Sequence, residues 1–107
     1  MQWYDHLYGG EKAGAKRYGM IRKIRGRKLQ RGGYVITPAS NGNNILDIYP
    51  SAVLLLPYYK DKDLLILGIA ADYWEALGLA RDIVDDLYSI TGGFDLKKFL
   101  TERNYKV

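Results

Sequence analysis

His6, the only histidine in the chain, is the first residue whose type could support acid–base chemistry near neutral pH. A general base needs an aligned partner, and Asp5, which is adjacent in sequence, gives no productive alignment by itself. No serine lies in a Gly-x-Ser-x-Gly nucleophile pattern. We therefore interpret His6 as an ordinary surface or packing residue, and we expect a protein that is not an enzyme.

Three carboxylates form the one acidic cluster with a spacing that could hold a metal. Asp82, Asp85 and Asp86 fall within one helical turn, where two carboxylates could hold a hard cation such as Mg²⁺. Any solvated amphipathic helix shows the same spacing, and no second carboxylate cluster supplies the remaining ligands. The chain has no cysteine, which excludes disulfides and Cys-based zinc sites. The glycine pairs match neither the Walker A nor the Rossmann phosphate loop, so we expect no metal and no cofactor.

The basic segment, residues 12–31, holds nine of the sixteen Lys and Arg residues and no Asp or Glu. Residues 1–37 carry a net charge of +7 and residues 38–107 a net charge of −3, within a total of +4. Cations at this density could neutralise several phosphates, and Tyr18 and Tyr34 could stack on exposed bases. The candidate nucleic-acid-binding residues are Lys16, Arg17, Arg22, Lys23, Arg25, Arg27, Lys28 and Arg31.

The basic segment has a second interpretation, as a solvated helix face that could lie against the acidic side of the last long helix. No zinc finger, RNP aromatic signature or KH loop accompanies it, and only one helix is predicted where a helix-turn-helix needs two. The charge imbalance is the sequence's one indication of a partner, either a nucleic acid or an acidic protein.

The elements that position these residues are predicted to form one domain over residues 1–107. Residues 1–10 look like an irregular lead-in. Composition favours a basic helix over residues 11–25, with a narrow apolar stripe at Ile21 and Ile24. Gly26 marks where that helix must stop.

A hairpin is predicted in the middle of the chain. Residues 34–37 are β-branched and aromatic, Asn41-Gly42 is a strong turn signal, and residues 45–49 would be the return strand. Pro50 ends that strand, and a short helix is expected over residues 51–59, with Pro57 limiting its regularity.

The second half of the chain gives the clearest patterns. Residues 64–70 form a continuous apolar run typical of a strand covered on both faces, and Gly68 within it suggests close approach of another element. Asp72 and Glu75 form a capping box for a helix over residues 72–90, which Gly92-Gly93 should end. The predicted buried stripe of this helix is Trp74, Leu77, Ala80, Val84 and Leu87.

A last short helix is expected over residues 96–103, with Asp95 as its cap and Leu96, Phe99 and Leu100 buried. The predicted fold is therefore α+β: a small two- or three-stranded sheet, an N-terminal basic helix, and a long amphipathic C-terminal helix packed on the sheet. Such a small sheet has exposed edges and is marginal alone, so we expect a homodimer.

Several short motifs resemble those of a group of small uncharacterised bacterial proteins, seen mostly in Gram-positive gut anaerobes. The motifs are Tyr4-Asp5-His6-Leu7-Tyr8, Asn44-Ile45-Leu46-Asp47-Ile48-Tyr49-Pro50-Ser51, Gly68-Ile69-Ala70 and Thr91-Gly92-Gly93-Phe94-Asp95. The resemblance spans almost the whole chain and implies a single domain in the bacterial cytoplasm. It implies no activity and assigns no functional residue.

These observations favour two functions. The first is a non-enzymatic interaction or adaptor protein that acts as a homodimer. The second is an accessory nucleic-acid-binding protein that grips phosphate with residues 12–31. No signal-peptide pattern is present, and the most apolar region is interrupted by Lys60-Asp61-Lys62-Asp63, so we expect a soluble cytoplasmic protein without membrane contact.

Overall fold

The computed structural model of this chain describes residues 2–9, 17–26, 32–39, 45–60 and 64–102. The described strands and helices follow one another along the chain in a mixed order, so the fold contains both α and β structure as predicted. They are β1 (Gln2–Gly9), α1 (Arg17–Arg25), β2 (Tyr34–Pro38), β3 (Leu46–Pro50), a 3-10 helix (Ser51–Leu55), α2 (Pro57–Lys60), β4 (Leu65–Ala70), α3 (Tyr73–Thr91) and α4 (Leu96–Glu102).

The four described strands form one mixed sheet in the order β1-β4-β2-β3. β2 pairs antiparallel with both β3 and β4, and β1 pairs parallel with β4. The prediction of a two- or three-stranded sheet is therefore wrong, as is the irregular lead-in. The strand that the prediction missed is β1. Its aromatic residues suit a strand, although its register with β4 shifts between Trp3 and Tyr8.

The basic helix is not N-terminal in this fold, because β1 comes before it. The structure describes it as α1 from Arg17, and residues 11–16 of the predicted helix lie outside the described residues. Among its described side chains, Met20 and Ile24 are buried, whereas Ile21 is half-buried. The amide of Gly26 donates a hydrogen bond of 2.9 Å to the carbonyl of Arg22, so the helix ends where the sequence predicted.

The sheet is covered by helices on both faces. Val35 and Ile66 pack with Met20 and Ile24 of α1 in one core cluster. Ile36 and Leu67, which follow Val35 and Ile66 in the sequence, point to the other face of the sheet. There they pack in a second cluster with α3 and α4. That second cluster contains Tyr4, Ile36, Leu67, Ala70, Ala76, Leu79, Ile83, Leu87, Phe99 and Leu100. β4 lies between two strands and under both layers, which confirms the prediction of a central strand covered on both faces.

The ends of α3 form as the sequence predicts. Asp72 accepts a hydrogen bond of 2.8 Å from the amide of Glu75, whose own carboxylate accepts one of 2.9 Å from the amide of Ala71. Gly92 ends the helix with φ 73°, a left-handed conformation that glycine adopts without steric cost. Asp95 caps α4 by accepting a hydrogen bond from the amide of Lys98 at 3.1 Å.

The buried face of α3 differs from the predicted stripe. Ala76, Leu79, Ile83 and Leu87 face the sheet. Trp74, which the spacing placed in the core, is 78 % exposed. The helix is therefore rotated by roughly a quarter turn from the prediction, since residues on a helix advance about 100° each. The rotation is possible because the apolar residues of α3 cover more than one face.

The predicted hairpin arms pair in antiparallel fashion as β2 and β3, while the Asn41-Gly42 turn lies outside the described residues. The single helix expected over residues 51–59 is instead a 3-10 helix followed by α2, which begins at Pro57. Proline fits the first turn of a helix but not its interior, which explains the break. Within the described residues, no helix has the length and apolar character that crossing a membrane requires.

Gly68 marks the close approach of β1 to β4. A Cβ built on Gly68 would lie 3.3 Å from both the Cβ and the carbonyl oxygen of Tyr8. The Gly68→Ala variant should therefore destabilise the fold by about 1–3 kcal/mol, because the backbone of the neighbouring strand would have to move. Urea unfolding followed by circular dichroism measures the change.

The matched control for this substitution is Gly19→Ala in α1, where a Cβ would meet no atom within 4 Å. Alanine in that helix should add up to about 1 kcal/mol to the free energy of unfolding. A Gly68→Ala variant as stable as the Gly19→Ala variant would contradict the close approach.

Candidate functional site

The only histidine, His6, and the hydrogen-bonded pair Asp47 and Tyr49 lie at opposite edges of the described sheet. His6 is exposed on β1, and its ring centroid lies 5.7 Å from that of Tyr4. Asp47 and Tyr49 lie on β3, where the Tyr49 hydroxyl donates a hydrogen bond of 2.9 Å to the Asp47 carboxylate. Three strand spacings, about 14 Å in all, separate these two edges. The structure therefore does not bring the imidazole to the carboxylate.

The acidic residues of α3 are spread over different surroundings. The Tyr8 hydroxyl donates a hydrogen bond of 2.5 Å to Asp86, which ties α3 to β1. Asp82 and Asp85 are exposed, and Asp82 lies 3.6 Å from the guanidinium of Arg81. Across the described parts of the chain, no three potential metal ligands come together.

Three of the predicted phosphate-binding residues share one exposed surface, the basic face of α1, formed by Arg22, Lys23 and Arg25. The guanidinium of Arg25 lies 5.4 Å from the centre of the Trp3 ring, in a cation–π contact with β1. The structure pairs none of the three with a carboxylate from the described residues. The remaining candidates lie outside the described residues or, for Arg17, have no described side chain. They are Lys16, Arg17, Arg27, Lys28 and Arg31.

The basic face of α1 is not neutralised by the long acidic helix. α1 packs on one side of the sheet and α3 on the other, so the buried sheet separates their charges. For the described part of the basic segment, α1, the interpretation as a surface lying against the acidic side of α3 is therefore wrong. The reason is topological, because α1 lies between β1 and β2 in the chain and packs on one face of the sheet, whereas α3 follows β4 and packs on the other face.

The outer face of α3 is the side of the helix turned away from the sheet, and sequence reasoning missed it. Trp74 is 78 % exposed, Tyr88 57 % and Leu77 38 %, with Arg81 between them. Beyond the end of the helix, Phe94 is also exposed, and its ring centroid lies 5.7 Å from that of Tyr88. We define the outer face of α3 by six residues: Trp74, Leu77, Gly78, Arg81, Asp85 and Tyr88.

A signal for this surface was present in the sequence. Trp74, Arg81 and Tyr88 recur every seven residues, which keeps them on one side of a helix. Ala76, Leu79, Ile83 and Leu87 have the smaller, aliphatic side chains that fit closely against a sheet. A helix with two apolar stripes buries one of them within its own domain and leaves the other exposed.

In comparisons with known proteins, no protein-family model, no curated protein sequence and no solved structure matched this chain. The resemblance to the group of small bacterial proteins therefore stays a prediction. Function has to be inferred from the two exposed surfaces, the basic face of α1 and the outer face of α3.

Two leucines of α3 test which side of the helix is buried. Leu79 is 8 % exposed and belongs to the core, whereas Leu77 is 38 % exposed on the outer face. The Leu79→Ala variant should lose about 2–5 kcal/mol of unfolding free energy. The Leu77→Ala variant should lose less than about 1 kcal/mol at dilute protein concentration. Urea unfolding of both variants measures the difference, and equal losses would contradict the orientation of α3.

Proposed function

We propose that this chain is a non-enzymatic interaction module that associates with a second copy of itself through the outer face of α3. The observation that carries the proposal is the exposure of Trp74 and Tyr88 on a helix whose opposite side is fully packed. A bacterial cytoplasmic location, which the resemblance implies, is part of the same proposal.

The composition of the outer face of α3 supports a role in binding. Trp, Tyr and Arg are the residues most enriched at protein interfaces and at their energetic centres. A large exposed ring such as that of Trp74 keeps apolar area in water, and a partner would remove it. Phe94 extends the apolar surface past the end of the helix.

Charge favours a second copy as the partner. The outer face carries a cation, Arg81, and an anion, Asp85, one helical turn apart. A surface with both signs close together is complementary to itself, and a two-fold axis can match each charge with its opposite. A strongly acidic partner would place like charge against Asp85, and a strongly basic partner would place like charge against Arg81.

Removal of the two aromatic rings tests the self-association. The wild-type chain should sediment as a concentration-dependent dimer in the micromolar range. The double variant Trp74→Ser, Tyr88→Ser should raise the dimer dissociation constant at least tenfold, because it removes the largest apolar area of the surface. Sedimentation equilibrium measures both constants.

The control for that double variant is Leu56→Ser, Tyr58→Ser, because both residues are exposed apolar side chains away from α3. The control should dimerise like the wild type. A wild-type chain that stays strictly monomeric at high micromolar concentration would disprove the proposal.

We propose as a second candidate function an accessory role in nucleic-acid binding through the basic face of α1. The specific observation that favours it is the set of three exposed cations with no carboxylate partner among the described residues. The basic segment continues on both sides of α1 in the sequence, and it contains no acidic residue. Phosphate contacts of this kind are independent of sequence and depend steeply on salt.

Salt titration distinguishes this second function. On duplex DNA, the logarithm of the binding constant falls linearly with the logarithm of the salt concentration. The variant Arg22→Gln, Lys23→Gln, Arg25→Gln should make this negative slope shallower by about 2 to 3. Fluorescence anisotropy of a labelled duplex gives the slope. Lys98→Gln, an exposed cation on α4, is the control and should leave the slope unchanged. Wild-type binding that does not respond to salt would exclude the phosphate contacts.

A further inference from the structure

Large and small residues alternate along the outer face of α3. The large residues Trp74, Arg81 and Tyr88 are seven apart, which is the heptad spacing of helices that pack along their length. Four residues after each of them comes a smaller one. These smaller residues are Gly78, Asp85 and Gly92. Together the two sets occupy the two seam positions of a heptad pattern.

Gly78 has no explanation among the described residues of its own chain. Apart from proline, glycine is the least favourable residue in a helix interior. A Cβ at Gly78 would meet no atom of the described residues within 4 Å, so none of them requires a glycine at this position. Gly92 differs, because its positive φ already accounts for it at the end of α3. Gly78 is therefore a notch on the outer face that no described part of the chain fills.

We infer that two copies of α3 pack antiparallel about a two-fold axis at the level of Ile83, an inference that rests on the proposed self-association. Reversing one helix about that level places each large residue opposite a small one. Arg81 then lies at the height of Asp85 of the partner subunit, and Tyr88 at the height of Gly78 of the partner subunit. Interdigitation of large and small side chains is how packed helices fill the space between them.

The charges select the antiparallel orientation over the parallel one. In a parallel two-fold pair, each residue faces its own copy, so two Arg81 side chains would meet and two Asp85 side chains would meet. Like charges at these positions oppose association. The antiparallel pair instead forms the Arg81–Asp85 contact twice, once on each side of the axis.

Arg81 is available for this contact. Its ion pair with Asp82 spans 3.6 Å between two exposed side chains, and exposed pairs of this kind hold their partners weakly. Asp85 is exposed on the same side of the helix, and no partner for it is described. Both groups can therefore reorient toward a second copy without breaking a buried interaction.

Charge reversal tests the orientation in the full-length chain. Arg81→Glu alone and Asp85→Arg alone should each raise the dimer dissociation constant about tenfold or more, because each creates two like-charge contacts across the axis. The double variant Arg81→Glu, Asp85→Arg restores both pairs with reversed signs and should return the constant to within about threefold of the wild type. Sedimentation equilibrium measures the constants, and circular dichroism verifies that each variant is folded.

Substitution of Gly78 tests the arrangement independently, because it should raise the stability of the monomer and weaken the dimer. The Gly78→Ala variant should raise the stability of the isolated monomer toward urea and at the same time weaken the dimer at least threefold, because the new methyl group enters the space of Tyr88 of the partner subunit. Gly19→Ala, an exposed glycine of α1 with nothing within 4 Å, is the matched control. It should raise stability without changing association.

The outcomes separate the two levels of the proposal. A wild-type chain that never dimerises would overturn the self-association and the orientation together. A wild-type dimer that both single charge reversals leave unchanged, or that the double variant fails to restore, would overturn only the antiparallel arrangement. A dimer that Gly78→Ala strengthens would also overturn the arrangement, since no notch would then be filled.

Discussion

The burial of β4 on both faces and along both edges is the constraint on which the rest of the structure depends. Residues 66–70 are all buried, and both core clusters draw on them. Gly68 allows β1 to approach β4 closely, because a Cβ there would lie 3.3 Å from the Cβ and the carbonyl oxygen of Tyr8. A strand that is apolar on both sides needs a helical layer above and below it, and α1 and α3 supply those layers.

This two-sided packing gives the exposed surfaces their distinct characters. α1 packs Met20, Ile24 and part of Ile21 against the core, which leaves its exposed positions to Arg22, Lys23 and Arg25. α3 packs a stripe of small and branched aliphatic residues on the sheet, and its largest side chain, Trp74, faces away. A bulky indole contributes much apolar area to a surface, and the proposed self-association would remove this area from water.

The features of the fold that depend on residues close in sequence were predicted, whereas those that depend on distant contacts were not. The caps of α3, Asp72 and Gly92, act through residues a few positions away, and an apolar run such as β4 carries its own burial signal. β1 joins the sheet through pairing with a strand some sixty residues later, which no short window reveals. The buried side of α3 was mistaken because two apolar stripes fit one helix, and only tertiary packing chooses between them. The cations Arg22, Lys23 and Arg25 belong to the predicted phosphate-binding group, whereas Trp74 and Leu77 of the outer face of α3 were predicted to be buried.

The sheet that separates α1 from α3 also makes the molecule modular. The two helices lie on the order of 20 Å apart across a layer of apolar side chains, which exceeds the distance over which exposed charges act at physiological salt. Substitutions on one helix should therefore combine additively with substitutions on the other. Either surface can then diverge, or be redesigned, without changing the packing or the charge of the opposite one.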